Sequence, residues 1–143
     1  MFENVHHVAF AIRDMDAART QMEQLFGLEL AYLEKMTENF NLEIAMYFAG
    51  DSLIELISPL SAEGWTHEYI EENGEGLFHI AYEVDDVRER MSELSARGVE
   101  FEDGDPRPGP NDAWEVATIE NDTVVMMQIA EQNAPIREAL DIE

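Results

Sequence analysis

Two stretches of the chain share one pattern of apolar and polar positions. Residues 5–14 and residues 76–86 both alternate, and aligning His7 with His79 also aligns Val8 with Ile80, Ala9 with Ala81, Phe10 with Tyr82 and Ile12 with Val84. Side chains of a strand point alternately to two faces. Each stretch therefore predicts a strand with large apolar residues on one face, packed on a helix, and a histidine beside small residues on the other. The chain contains an internal repeat.

After each of these strands the pattern becomes helical. Asp14 or Asp16 begins a predicted helix that runs through Gln24 and ends at Gly27, and residues 85–86 begin another over 87–96 that ends at Gly98. Predicted strands follow at 28–34, 39–49 and 53–57 in the first half, and at 99–102, 114–120 and 123–130 in the second, with turns at 50–51 and 121–122. Each half is therefore predicted to be a βαβββ module.

These elements predict the α+β class and a single domain over residues 1–143. Module one spans 5–58, a connector with a short helix at 65–71 spans 59–76, module two spans 77–131, and a tail with a short helix spans 132–143. Repeat units near 70 residues favour two half-domains that share one core. The loop 104–112 holds three of the five prolines, which excludes it from the centre of a sheet.

Charge and composition narrow the classes of partner. Asp and Glu number 32 against 8 Lys and Arg, a net charge of −24, and Lys35 is the single lysine. Nucleic acids and anionic membranes require basic patches, so both are excluded as expected partners. Acidic residues spread along the whole chain indicate a protein of a halophile that works in concentrated salt. No signal peptide and no apolar run near 18 residues is present, which predicts a soluble, cytoplasmic protein.

Four polar residues of the repeat point to one site. His7 aligns with His79, and under nearly the same offset Glu55, inside the apolar run 53–57, aligns with Gln128. A carboxylate in such a run is costly unless it is paired or binds a metal. The chain has no cysteine, so only nitrogen and oxygen ligands are available, and this set suits Co, Mn, Ni or Zn as a divalent ion. The alternative is two buried histidines that bond only to backbone.

Three segments carry a resemblance to a known family. Residues 55–60, Glu-Leu-Ile-Ser-Pro-Leu, residues 74–81, Gly-Glu-Gly-Leu-Phe-His-Ile-Ala, and residues 106–109, Pro-Arg-Pro-Gly, are similar to segments of methylmalonyl-CoA epimerases. Over residues 5–131 the chain resembles the vicinal oxygen chelate superfamily, which also includes glyoxalases, bleomycin resistance proteins and extradiol dioxygenases. The resemblance implies two βαβββ modules in a pseudo-twofold arrangement that form one curved sheet around a metal-binding cavity, and a homodimer.

The resemblance also implies site residues and an activity. The metal ligands fall on His7, Glu55, His79 and Gln128, and a catalytic base falls on Glu43. The epimerases have glutamine where this chain has Glu55 and glutamate where it has Gln128, and their second base is that glutamate. They also carry an FxHP segment where residues 117–121 read Ala-Thr-Ile-Glu-Asn.

The implied activity is removal of the α-proton of an acyl-CoA thioester such as methylmalonyl-CoA, with the enolate stabilised by the metal. Because the ligands are exchanged, internal symmetry suggests Glu55 as both ligand and base, with Glu115 or Glu43 as the opposing acid. Three alternatives stay open: a glyoxalase I-type lyase acting on a hemithioacetal, a metal-free binding or resistance protein, and an extradiol-type dioxygenase using His7, His79 and Glu55. Glu43 and Glu115 are equally compatible with solvated strand positions.

Overall fold

The α+β class is confirmed by a computed structural model that describes residues 2–38, 40–102, 104–120 and 126–142. In these residues the strands form one unclosed sheet in the order β2-β3-β4-β1-β5-β9-β8-β6, with β7 paired to β8. The contacts divide the chain into two units, residues 8–78 and residues 1–7 with 79–143. No helix in the described part of the chain is long and apolar enough to cross a membrane.

The elements before residue 79 follow the predicted order. They are β1 (Asn4–Ala11), α1 (Met15–Thr20), a π-helical turn (Gln21–Leu25), β2 (Leu30–Met36), β3 (Leu42–Ala49), β4 (Ser52–Pro59) and α2 (Trp65–Asn73). The side chain of Asp14 accepts a hydrogen bond from the Ala17 amide and caps α1. One face of β3 and β4 packs on this helical segment, through a cluster that includes Met15, Ala45, Tyr47 and Leu56.

The later elements repeat this plan. They are β5 (Gly76–Val84), α3 (Val87–Ala96), β6 (Glu100–Phe101), β7 (Arg107–Pro108), a 3-10 turn (Pro110–Asp112), β8 (Trp114–Glu120), β9 (Met126–Gln132) and α4 (Ile136–Ala139). Asp86 accepts from the Glu89 amide and caps α3, as Asp14 caps α1. The core beneath α3 contains Val84, Val87, Met91, Leu94, Ala117 and Ile129.

The main differences from the predicted elements lie at element ends. The first α-helix ends at Thr20 rather than Gln24, and a π-helical turn continues it to Leu25. β2 begins at Leu30 rather than residue 28, because Gly27 has a positive φ of 68° and the Leu28 amide bonds back to the Met22 carbonyl. The predicted turn at 121–122 and the start of the predicted strand at 123–125 lie outside the described residues. The module boundaries stay a prediction.

Candidate metal centre

The two aligned histidines lie side by side. Nε2 of His7 is 2.9 Å from Nε2 of His79, and both residues are buried. Burial lowers the pKa of His79 to about 3, with the positive charge of Arg107 acting in the same direction. Burial also lowers the pKa of His7 well below its usual value; His79 and His6 add to this, and a hydrogen bond with Gln128 opposes it. Both rings are therefore held in the neutral form that binds metals.

Glu55 supplies the carboxylate of the predicted set. Ligand-type atoms of His7, Glu55 and His79 all lie within 4.8 Å of one another. Glu55 lies on β4, is 6% exposed, and has a pKa that burial raises to about 7. On the paired strand β3 its cross-strand partner is Met46, which is apolar and fully buried.

The donor set fits a divalent ion. Two nitrogen ligands about 2.1 Å from one ion and at a right angle to each other are about 3 Å apart, which matches the 2.9 Å between the two Nε2 atoms. Two imidazole nitrogens with a carboxylate, and no thiolate, suit Zn, Co, Ni or Mn. The structure therefore supports a His-His-Glu group that is compatible with a metal ion.

Gln128 is oriented by its neighbours on β8. Thr118 lies directly opposite Gln128 in the β8–β9 register. Oγ1 of Thr118 receives hydrogen bonds from Nε2 of Gln128, at 3.1 Å, and from Nη2 of Arg107, at 2.8 Å. Because the amide nitrogen is turned to Thr118, the carbonyl oxygen of Gln128 points away from Thr118. Gln128 also forms a hydrogen bond with His7, and an amide oxygen is a suitable ligand for a hard or borderline cation.

Glu43 and Glu115 lie on the opposite face of the sheet from these residues. Directly paired residues of antiparallel strands share a face, and Glu55 pairs with Met46 while Gln128 pairs with Thr118. Glu43 is three residues from Met46, and Glu115 is three residues from Thr118, so each points the other way.

The surroundings of the two glutamates agree with this placement. Glu43 shares its face with Ala45, which packs in the core beneath α1, and Glu115 shares its face with Ala117, which packs beneath α3. Glu115 also forms an ion pair with Arg88 of α3. The structure thus does not bring Glu43 together with Glu55, or Glu115 together with Gln128.

A signal for the placement of Glu43 was present in the sequence. The predicted two-residue turn at 50–51 pairs Ala49 with Ser52, and counting back from there pairs Met46 with Glu55, as the structure shows. For Glu115 the same count misleads: the predicted turn at 121–122 pairs residue 115 with residue 128, whereas the structure pairs Gln128 with Thr118.

Sequence reasoning also missed three residues that contact the site. Thr118 aligns with Met46 in the repeat, so the repeat gave no signal for it. His6 and Trp114 were not predicted either: the His6 and His7 rings have centroids 5.1 Å apart, and the Trp114 ring lies 4.6 Å from that of His6. The adjacent histidines were a possible signal, but strict alternation in a strand places them on opposite faces.

The fold agrees with the comparison to known families. Residues 6–118 match the Glyoxalase/Bleomycin resistance protein/Dioxygenase superfamily. The chain belongs to this superfamily.

Proteins similar to this chain include an uncharacterized protein of Bacillus subtilis (strain 168), 33% identical over 105 residues, which cover 73% of this chain and 74% of that protein. An ethylmalonyl-CoA/methylmalonyl-CoA epimerase of Cereibacter sphaeroides is 30% identical over 101 residues, covering 68% of this chain and 75% of the relative. A solved methylmalonyl-CoA epimerase of Streptomyces coelicolor, in complex with 2-nitronate-propionyl-CoA, superposes with a TM-score of 0.84 at 22% identity. That match covers 94% of this chain and 98% of the other, and it supports the shared fold.

Proposed function

We propose that this protein is a metal-dependent isomerase that removes the α-proton of an acyl-CoA thioester, in the manner of a methylmalonyl-CoA epimerase. The observation that carries the proposal is the group of two neutral histidines and one buried carboxyl, with ligand-type atoms within 4.8 Å of one another. The similarity to the epimerase of Cereibacter sphaeroides supports the acyl-CoA class of substrate.

His7, His79, Glu55 and Gln128 would hold the ion, which is Co, Mn, Ni or Zn in this proposal. When bound, a divalent ion supplies a Lewis acid that polarises a carbonyl oxygen and makes the neighbouring α-proton easier to remove. The protein residues bind and orient this centre. Burial of both histidines keeps bulk water from replacing them as ligands.

Glu55 is the proposed base. An effective base has a pKa near the working pH, and in the metal-free protein burial raises the pKa of Glu55 to about 7. Its carboxyl would take the α-proton at one oxygen and return a proton to the same carbon. Neither Glu43 nor Glu115 shares its face of the sheet, so we do not assign them the opposing acid.

A single carboxylate also favours a second candidate function. In a glyoxalase I-type reaction on a hemithioacetal, one base can move a proton between two neighbouring carbons, whereas epimerisation needs proton delivery to the opposite face of the carbon. Within the group formed by His7, His79 and Glu55, one carboxylate is present. This observation supports the hemithioacetal lyase as the alternative.

Arg107 is the proposed contact for the negative charge of the substrate. Its guanidinium donates to Thr118 and places a positive charge near His79. In a chain of net charge −24, such a cation beside the site is a favourable place for a carboxylate or a phosphate.

We test the proposal by incubating the metal-loaded protein with methylmalonyl-CoA in D₂O and reading α-deuterium and stereochemistry by NMR. Deuterium exchange with inversion supports the epimerase, and exchange with retention supports thioester enolisation by Glu55 alone. Absence of exchange, together with conversion of the glutathione hemithioacetal of methylglyoxal, would replace the proposal with the glyoxalase-type lyase. If the purified protein contains no metal and binds none, the remaining alternative is a metal-free binding protein.

We further propose that the protein acts as a homodimer in the cytoplasm of a halophile. The dimer rests on the resemblance to the epimerases, and the salt-rich cytoplasm rests on 32 acidic residues against 8 basic ones. Its partner in this proposal is a small-molecule thioester or thiol adduct rather than a nucleic acid or a membrane.

A further inference from the structure

A line of hydrogen bonds leads away from the histidine pair toward the end of β9. Nδ1 of His7 lies 2.9 Å from Nδ1 of His6, and Nε2 of His6 lies 2.5 Å from Oε1 of Gln132. His6 is 2% exposed and packs against the ring of Trp114. The side chain of His6 therefore joins the Nδ1 side of His7 to a fixed partner.

Gln132 fixes the direction of these hydrogen bonds. Its Nε2 donates to the backbone carbonyls of Ala113, at 3.0 Å, and Ala134, at 2.5 Å. A side-chain amide nitrogen can only donate, and its oxygen can only accept. With the nitrogen held by two carbonyls, Oε1 faces His6, so Nε2 of His6 must carry the hydrogen of this bond.

The protonation of His6 in turn determines which nitrogen of His7 carries the hydrogen. A neutral imidazole carries one N–H and has one accepting nitrogen, and burial disfavours the charged form of His6. With its hydrogen on Nε2, His6 accepts at Nδ1, and the donor there is Nδ1–H of His7. Nε2 of His7 then carries the lone pair, and it accepts on the side that faces Nε2 of His79, 2.9 Å away.

We infer that His6 and Gln132 are positioning residues that hold His7 in its Nδ1–H tautomer and present Nε2 of His7 as the metal-binding atom. Partners that fix the tautomer of a ligating histidine strengthen metal binding, and their loss costs about 10–100-fold in affinity. The inference rests on the metal site of the proposed function, yet the tautomer itself is a property of the metal-free protein.

The first experiment is NMR of the metal-free protein with ¹⁵N-labelled histidine, in which long-range proton–nitrogen correlations assign the protonated nitrogen of each ring. We expect N–H at Nδ1 of His7 and at Nε2 of His6. An Nε2–H tautomer of His7 in the unsubstituted protein would overturn the inference. This readout does not depend on metal binding or turnover, so it separates failure of the inference from failure of the proposed function.

The second experiment compares Zn²⁺ affinities of variants by competition with a chromophoric chelator. His6→Leu removes the acceptor and is expected to weaken binding about 10–100-fold, whereas His6→Asn keeps an acceptor oxygen near the position of Nδ1 and should restore most of it. His67→Leu, on α2, is the control and should change nothing. Equal affinity of His6→Leu and the unsubstituted protein would overturn the inference. If His6→Leu does not fold, Gln132→Leu serves the same comparison.

Discussion

The final strands of the two repeats have the same register and different chemistry. Across β3–β4, Glu55 faces the apolar side chain of Met46, and across β8–β9, Gln128 faces the hydroxyl of Thr118. On the other face, by contrast, the two pairs correspond closely: Ala45 with Leu56 in one repeat and Ala117 with Ile129 in the other. The helix-facing layer has thus been kept, and the polar layer has diverged.

The divergence gives the two equivalent positions different tasks. In the metal-free protein the buried carboxyl of Glu55, beside Met46, has a pKa raised to about 7, which suits a group that exchanges protons. The amide of Gln128 cannot accept a proton at neutral pH. Its nitrogen donates to Thr118, so its oxygen points away from Thr118 and can serve as a neutral metal ligand. One repeat provides the reactive group, and the other provides an oriented one.

The strongest test of this difference between the repeats is to exchange Glu55 and Gln128. Glu55→Gln keeps the shape and removes the proton site, so we expect a loss of about 10²–10⁴ in kcat for α-deuterium exchange. Adding Gln128→Glu should recover part of this activity, because the carboxylate returns at the equivalent position. Metal content is measured for each variant. Full turnover by a metal-loaded Glu55→Gln protein would show that Glu55 is not the base.

The histidines are the part that the two repeats share, so each should be indispensable to metal binding. His7→Ala and His79→Ala each remove a nitrogen ligand that water replaces poorly, and affinity should fall by more than about 10²-fold. Elemental analysis of protein purified without added chelator should give about one divalent ion per chain for the unsubstituted protein. His67→Ala is the matched control. Retention of a full equivalent of metal by both site variants would place the ion elsewhere.

The environment of Glu55 predicts a dependence of stability on pH in the metal-free protein. Its pKa is about 7 when folded and near 4.5 when unfolded, so the native state binds more protons between these values. The contribution of Glu55 to stability is therefore present below pH 4.5 and is lost as pH rises to 7. Glu55→Gln lacks this loss. Its free energy of unfolding, relative to that of the unsubstituted protein, should therefore rise by up to roughly 3 kcal/mol over that range.

The unsubstituted protein must be compared with Glu55→Gln because His79 changes the stability of both with pH in the opposite direction to Glu55. Its pKa is lowered to about 3, so its contribution increases as pH rises from 3 to its usual 6.5. Urea denaturation at several pH values with a chelator present gives the difference. A difference in unfolding free energy that does not change with pH would mean that the carboxyl of Glu55 titrates normally.

The task of Thr118 is tested by removing its hydroxyl alone. Thr118→Val keeps the shape but removes the acceptor for Gln128 and Arg107, so metal affinity should fall by about 10-fold. The matched change in the other repeat, Met46→Leu, exchanges one apolar side chain for another and should leave affinity within about twofold. Zn²⁺ titration of both variants measures these affinities. Equal losses of affinity in the two variants would mean that packing, rather than the orientation of the Gln128 amide, sets the affinity.

Salt should stabilise both repeats to a similar extent, so we expect it to have the smallest effect on the difference between them. A net charge of −24 destabilises a small domain by self-repulsion, and screening reduces that repulsion. Melting followed by circular dichroism should show a midpoint that rises from low to molar KCl, both for the unsubstituted protein and for Glu55→Gln. A flat or falling midpoint would remove the argument for a halophile.

The sequence by itself determined the repeat, the element types and the histidine pair. Period-two alternation places His7 and His79 on equivalent faces, and aspartates before the helices, Asp14 and Asp86, begin them as predicted. The turn at 50–51 also fixed the β3–β4 register, although Glu43 was still predicted as a base. A one-residue difference along a strand reverses the face of a side chain, so likeness in sequence was not enough to place it.

Only the tertiary structure decided how the polar groups around the histidines are connected. Thr118, Arg107 and Gln132 come from different strands, and their hydrogen bonds depend on register and side-chain reach that no local pattern encodes. His6 shows the same limit, since alternation predicts that it points away from His7, whereas the Nδ1 atoms of the two rings are 2.9 Å apart. Periodicity specifies directions along one strand, and the orientation of a buried polar group is set by partners that folding brings from elsewhere in the chain.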